Sequence, residues 1–328
     1  MRKLEKVEVI NRSGWDPPYV GSLESLKLGK YQVCDVAITG DAPKDFIRIY
    51  EYGHGKRNSP NSWPSYISKV GHKWYPMESI MEHFFTRLGQ SLGFRMADSK
   101  LINAHGQIRF CSRYFLRNGE SLIHGAELFW GYLEDQELVQ RIEAEDESRN
   151  LFTFQFVQDS ILKRYPTQSF EILWDFVRMI LFDAIVGNND RHFYNWGVIE
   201  HPEEKIEPRF SPIYDTARGL FWNSREIQLK KYLEEKGSYR RKLEQYVERS
   251  RPKIGWEGEK NLNHFQLWQN LVSSSGHWSS MVSEFSKVRV LAEAEKLLGG
   301  QEFSKLMSPT RARILLDCLD LRLNYLGF

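Results

Sequence analysis

The run from Phe170 to Val186 is apolar almost all round. A helix without a polar face must be enclosed by other elements on every side, so this segment predicts the central helix of a sizeable domain. Gly187 follows, a residue suited to the left-handed turn that ends a helix. The stretch after it is polar: Asn188-Asn189-Asp190-Arg191-His192-Phe193-Tyr194-Asn195-Trp196-Gly197. The Asp190 loop is thereby predicted to sit at the C-terminal end of a buried helix.

Beyond that loop, Trp196 to Ile199 and Arg209 to Tyr214 flank a charged, Pro-containing turn from Glu200 to Pro208. A hairpin here would bring Asn195 and Asp215 to the same end. An Asp, an Asn five residues later and a second Asp twenty further on form a minimal polar set for moving a phosphoryl group from Mg-ATP to a hydroxyl. One carboxylate, Asp190, orients the hydroxyl and accepts its proton, while the amide oxygen of Asn195 and the carboxylate of Asp215 hold magnesium. The Asp190/Asn195 spacing alone is equally that of an Asx-type turn after a helix. What favours chemistry is the set: the buried helix before, the Trp-Gly strand after, and the Tyr214-Asp215-Thr216 partner strand.

The first third of the chain reads mostly as strands. Val7 to Ile10, Tyr31 to Ile38, Asp45 to Tyr50 and Tyr66 to Val70 are β-branched or aromatic runs separated by breakers, and Gly53 to Pro64 is a polar loop. From Met77 to Leu92 the period becomes helical: Met77, Ile80, Met81, Phe84, Phe85, Leu88 and Leu92 share one face, and Gly93 stands where a C-cap belongs. Leu101-Ile102 and Ile108 to Phe110 then form a hairpin. After Asn118-Gly119 the chain is mainly helical, with amphipathic stretches from Met281 to Leu298 and from Ala312 to Leu326. The expected fold is α+β and two-lobed, a strand-rich lobe over 1–118 and a helical lobe over 119–328.

Composition limits the alternatives. A net charge of +2, from 45 basic and 43 acidic side chains, provides no global field to draw in nucleic acid or membrane, so any polyanion is bound locally. The basic runs Lys230-Lys231 and Arg240-Arg241-Lys242 alternate with glutamates, the look of a solvated helix face. Three scattered cysteines exclude a disulfide framework and a Cys-x-x-Cys site, fitting a reducing cytoplasm. The start, Met1-Arg2-Lys3-Leu4-Glu5-Lys6, runs into charged residues where a signal peptide would need an apolar run, and no stretch approaches a membrane span, so a protein soluble as made is expected.

The Asn-Asp-Arg-His-x-x-Asn-Trp-Gly core, the Pro212-x-Tyr214-Asp215-Thr216 segment, and Glu82 followed by Leu92-Gly93-Phe94-Arg95-Met96-Ala97 resemble the HipA-like serine/threonine kinases, especially the smaller CtkA-type members. The resemblance covers roughly Tyr66 to Asp215. It implies a protein-kinase-like fold, ATP and Mg2+ as cofactors, a protein acceptor with a Ser or Thr hydroxyl, and an antitoxin-like protein as a further partner. By the same resemblance Asp190 is the catalytic base, Asn195 and Asp215 are the metal ligands, Lys69 touches the α- and β-phosphates, and Glu82 is its helix partner. Helical phase places Glu78 nearer than Glu82 to the buried edge of that helix. Phe115 marks the hinge, and Gly53 and Gly55 supply the first pair of a nucleotide loop. Two features depart from the common protein-kinase pattern: Arg191 and His192 follow the base instead of preceding it, and Thr216-Ala217 replace Phe-Gly after the metal Asp. Two other functions fit the residues: a lipid kinase, because Asp-Arg-His-x-x-Asn is also the loop of phosphatidylinositol 3- and 4-kinases, and a non-catalytic binding protein that keeps the fold.

Overall fold

The computed structural model describes residues 2–17, 23–36, 38, 43–144, 148–203 and 206–328. Strands β1 (Glu24–Ser25), β2 (Tyr31–Cys34), β3 (Lys44–Ile49) and β4 (Ser65–Lys69) precede helix α1 (Met77–Leu92), and β5 (Ser99–Ala104) and β6 (Gln107–Arg113) follow it. Among the described residues these strands form one six-stranded sheet in the order β1-β5-β6-β4-β3-β2, antiparallel except where β1 joins β5. Residues 7–10, expected as a strand, lie outside it. They form an extended strap held by bonds from Val7 N to Gln107 Oε1 (2.9 Å) and from Ile10 N to His72 O (2.8 Å).

Side chains alternate across a strand, so β4 divides its residues between two environments. Tyr66 joins Ile47, Ile49, Ile102, Cys111 and Leu4 in a small outer core. Ile67 and Lys69 face the other way, toward the rest of the molecule. Helix α1 matches the expected span, and Gly93 ends it with φ 87°. Its apolar face packs on β5 and β6, while Phe84 meets Phe303 edge to face at 5.4 Å. The helix therefore belongs to the main core that also fills the helical part, and burying each of its large apolar side chains contributes about 1.5–3 kcal/mol.

The helical part begins with β7 (Ser121–His124), α2 (Gly125–Leu133), α3 (Gln136–Ala144), α4 (Ser148–Leu151) and α5 (Phe154–Arg164). The central helix α6 (Ser169–Val186) is buried all round from Met179 onward and on its inner face from Ile172, with Trp174, Asp175 and Arg178 part-exposed, and Gly187 closes it with φ 66°. After the polar loop come β8 (Gly197–Glu200) and β9 (Arg209–Phe210), the expected hairpin, with β7 as a third strand in the order β7-β8-β9. Helices α7 (Glu226–Glu234), α8 (Lys236–Glu248), α9 (His264–Ser274), α10 (Gly276–Ser280), α11 (Lys287–Gly299), α12 (Phe303–Leu306) and α13 (Pro309–Leu326) complete the fold. The stretch from Met281 to Leu298, read as one amphipathic helix, is divided at Phe285, which has extended backbone and precedes Ser286, the N-cap of α11. Among the described residues no helix is long and apolar enough to cross a membrane.

Candidate active site

The polar loop is built outward from one buried carboxylate. Asp183 lies in the last turn of α6, 3% exposed, where an unpaired charge would be costly. Its two oxygens accept from Arg191 Nε at 2.7 Å and Arg191 Nη2 at 3.0 Å, and Asn188 Nδ2 donates to Oδ1 at 3.0 Å. The remaining Arg191 nitrogen, Nη1, donates to the carbonyls of Asn195 (2.7 Å) and Tyr214 (2.5 Å). One fully buried guanidinium thus ties the end of α6, the Asp190–Asn195 loop and the strand leading to Asp215. Arg191 is a structural clamp, and the planar fork of arginine is what allows three attachments at once.

Within the loop, Asn195 Nδ2 donates to Asp190 O at 2.8 Å, which commits the amide N–H and leaves Oδ1 available as a ligand. Asp190 Oδ2 pairs with Arg218 Nη1 at 2.9 Å. His192 is half-buried, and its Nδ1 accepts from Tyr194 N at 3.3 Å. Burial pushes its ring below the ordinary histidine value despite Asp190 and Asp215 nearby, so it serves as a neutral packing group.

Asp215 reaches the loop by non-local pairing. Ile213 N bonds Arg95 O (2.7 Å) and Ala97 N bonds Ile213 O (2.9 Å), so the segment after β9 is pinned by an isolated bridge to the segment following α1. Asp215 itself has φ 56°, a left-handed conformation that Asp tolerates better than bulkier residues. Its Oδ1 lies 2.6 Å from Lys69 Nζ, and Lys69 Nζ lies 2.8 Å from Glu82 Oε1. A lysine from the sheet, a carboxylate from α1 and a carboxylate from the helical part therefore meet at one point.

The electrostatics follow from one cation between two carboxylates. Burial alone would lower Lys69, but Asp215 and Glu82 outweigh it and hold the ammonium above its ordinary range. Burial would raise Asp215, yet Lys69, with help from Lys44 and Arg191, holds it well below the usual carboxylate range. Glu82 is pushed up to about 7 by burial, against the pull of Lys69 and with Asp215 adding to the rise. Asp215 is thus the more acidic of the pair.

The structure brings Lys69, Glu82 and Asp215 together, and Asp190 and Asn195 share one loop. Of the two glutamates on α1, the one on Lys69 is Glu82; Glu78, favoured by helical phase, instead accepts from Lys73 N at 3.1 Å. Phe115 lies in the stretch between β6 and β7, its ring 5.8 Å from that of Tyr214. Gly53 and Gly55 are not at the site. In the antiparallel β3–β4 pair Lys44 lies opposite Lys69 and Arg48 opposite Ser65, so the loop carrying the glycines joins the far ends of these strands. Lys69 is about 13 Å further along β4 at ~3.3 Å per residue. Their positive φ, 83° and 89°, serves turns, and a Cβ on Gly55 would sit 2.2 Å from Ser62 O. Of the two connections that β3 makes within the sheet, the one at the Lys69 end is instead that from Cys34 to Lys44, of which residues 37 and 39–42 lie outside the described ones.

Three participants were absent from the sequence analysis. Asp183 had a signal: a carboxylate inside an apolar run, one turn before a glycine cap, demands a buried partner. Arg218 and Lys44 had none, because only the folded chain sets one beside Asp190 and the other in the field of Asp215.

The fold is α+β, protein-kinase-like and two-lobed. The chain belongs to the HipA-like C-terminal domain family, whose model matches residues 36–277. It is similar to the crystal structure of a Helicobacter pylori proinflammatory kinase, CtkA, with a TM-score of 0.62 and 16% identity over 84% of this chain and 89% of that one. A putative kinase from Haemophilus influenzae (strain ATCC 51907 / DSM 11121 / KW20 / Rd) is 26% identical over 166 residues, 48% of this chain and 46% of that protein. The chain thus matches just under half the length of that curated relative. The HipA of a Shewanella oneidensis MR-1 toxin–antitoxin complex with HipB and operator DNA matches with a TM-score of 0.43 and 16% identity, covering 96% of this chain and 67% of that one.

Proposed function

We propose that this protein is an ATP- and Mg-dependent serine/threonine protein kinase with Asp190 as its base. The observation that carries this reading is the junction at Lys69, 2.8 Å from Glu82 and 2.6 Å from Asp215. A half-buried lysine held between a helix carboxylate and a second carboxylate is the arrangement that places a cation on a nucleotide's phosphates.

The donor set suits magnesium. Asn195 Oδ1 and the Asp215 carboxylate, whose Oδ1 is on Lys69, are hard oxygen donors, and among the described residues no three His, Cys, Asp or Glu side chains close a cage. Mg2+ keeps several waters and phosphate oxygens and takes only one or two protein ligands, which two side chains satisfy. Bound there, it would neutralise the triphosphate. Asn195 and Asp215 would hold it there, Lys69 would supply positive charge to the phosphates, and Glu82 would keep the lysine oriented. Asp190 aligns the acceptor hydroxyl and takes its proton as the oxygen bonds to the γ-phosphorus and the bond to the β-phosphate oxygen breaks, releasing ADP. Arg218 sets the direction of the Asp190 carboxylate. Most of the acceleration comes from positioning and charge neutralisation.

The test is incubation with radiolabelled ATP and magnesium, with myelin basic protein and phosphoinositide vesicles as competing acceptors. Label is expected in protein, and Asp190→Asn should abolish transfer while nucleotide still binds. Label in lipid alone, or nucleotide binding with no transfer to either acceptor or to the chain itself, would overturn the proposal.

A further inference from the structure

A pocket of about 430 Å3 opens between α7 and α8, lined by Asn189, Tyr232, Lys242, Gln245, Tyr246 and Arg249, with Ser250 at its edge. The volume is within the range of sites that hold ligands, ~300–1,000 Å3. Its position is informative, because Asn189 is the chain neighbour of Asp190. Asn189 is also the fixed wall: its Oδ1 accepts from Ser250 Oγ at 2.8 Å and from Arg251 N at 2.9 Å. The pocket therefore touches the residue that immediately precedes the proposed base.

The charge of the lining has one sign. It holds two cations and no carboxylate. Lys242 lies over the Tyr232 ring at 5.1 Å and is met from the rim by Glu235, while Arg249 is exposed and has no ion pair among the described residues. Behind the wall, fully buried Arg322 donates from Nε to Ala184 O at 2.8 Å but has no carboxylate partner, and both its Nη atoms lack a hydrogen-bond partner. His264, whose Nε2 is 3.3 Å from Asn189 Oδ1, registers the resulting field. Burial drives its ring well below the ordinary value, and Arg322, Arg149 and Arg251 drive it further. A buried positive charge acts through low dielectric and is little screened.

We infer that this pocket seats the residues flanking the acceptor hydroxyl, and that it selects an acidic peptide segment. The inference rests on the protein-kinase reading and narrows its substrate class. A single pocket with one cation unpaired among the described residues, Arg249, and a second, Lys242, shared with Glu235, on a chain of net charge +2, suits a short acidic peptide, whereas nucleic acid is tracked by a basic groove or stripe.

Serine peptides flanked by Asp or Glu should be phosphorylated by the full chain with a lower KM than Lys-flanked ones. Arg249→Glu, and Lys242→Glu with it, should raise that KM roughly tenfold or more and shift preference toward Lys-flanked peptides. Mg-nucleotide binding should stay unchanged in both variants and the melting curve in Arg249→Glu, whose side chain is exposed, while Lys242→Glu also loses its pair with Glu235; KM should stay unchanged in the control Lys296→Glu. Binding of a fluorescein-labelled Asp-rich serine peptide, followed by anisotropy, separates the two proposals. Binding lost on charge reversal supports the pocket even without transfer, in which case only the kinase reading falls. Anisotropy unchanged by Arg249→Glu and by the double variant, or a wild-type preference for Lys-flanked peptides, overturns the inference.

Discussion

Replacing Asp183 with Asn removes the charge from a pair whose side chains are 1% (Arg191) and 4% (Asp183) exposed. The two hydrogen bonds, 2.7 and 3.0 Å long, would be reduced to at most one, and the guanidinium would be left buried without its counter-ion. Breaking such a pair from one side costs about 3–5 kcal/mol. That is a large fraction of the roughly 5–15 kcal/mol by which a native domain is stable. Arg191→Met should cost a similar amount, because it orphans Asp183 and also frees the carbonyls of Asn195 and Tyr214. The double variant should be less destabilised than the sum, with a coupling of roughly 2–3 kcal/mol, since each change already forfeits the pair. Activity should not recover with stability. The clamp positions the Asn195 and Asp215 segments, and a displacement of about 1 Å costs on the order of 100-fold in rate. Urea unfolding of the four proteins, with phosphate transfer measured at a temperature where all are folded, provides both numbers. A loss below about 1 kcal/mol for Asp183→Asn, or restored transfer in the double variant, would refute the clamp.

Three further outcomes are expected. Glu82, raised to about 7 from the ordinary 4.5, binds more protons in the folded than in the unfolded state. Its contribution to stability is thus present in full below 4.5 and lost as pH rises through about 7, so urea midpoints of wild type should fall relative to Glu82→Gln across that window, and parallel curves would contradict the burial of this carboxylate. Gly53→Ala, at φ 83°, should lower stability by about 1 kcal/mol and leave nucleotide affinity intact by displacement fluorescence, because the loop lies at the far end of the β3–β4 pair; weakened nucleotide binding would bring that loop back to the site. Arg218→Gln should lower kcat about tenfold with little change in KM for Mg-ATP, well short of the roughly 100- to 10,000-fold loss expected for removing a general base; a KM effect alone would assign Arg218 to nucleotide binding.

Much of the scaffold was legible before any coordinates. Helices α1 and α6 lie where their apolar periods and their following glycines put them, because local backbone chemistry ends a helix at a residue that accepts positive φ. The β8–β9 hairpin was equally local. The polar residues of the candidate site were visible as a spacing, since Asp190 and Asn195 lie on one short loop whose start is set by the end of α6.

What sequence could not supply was everything decided by non-local pairing. Glycines 53 and 55 looked like a nucleotide loop because composition marks a turn without saying which end of a sheet it closes, and only the register of β3 on β4 assigns it to the end away from Lys69. Glu82 won over Glu78 because α1 is held between the sheet on one side and α11 and α12 on the other, which sets the height at which a lysine from β4 meets it. The Arg218–Asp190 contact and the pocket beside Asn189 likewise join segments far apart in the chain. Composition and period alone determined which residues had to be buried and where helices stop, because those are properties of neighbours along the backbone. Which charges meet was left to the tertiary fold, since Coulombic pairing at about 3 Å depends on strand register and helix placement that many distant contacts fix together.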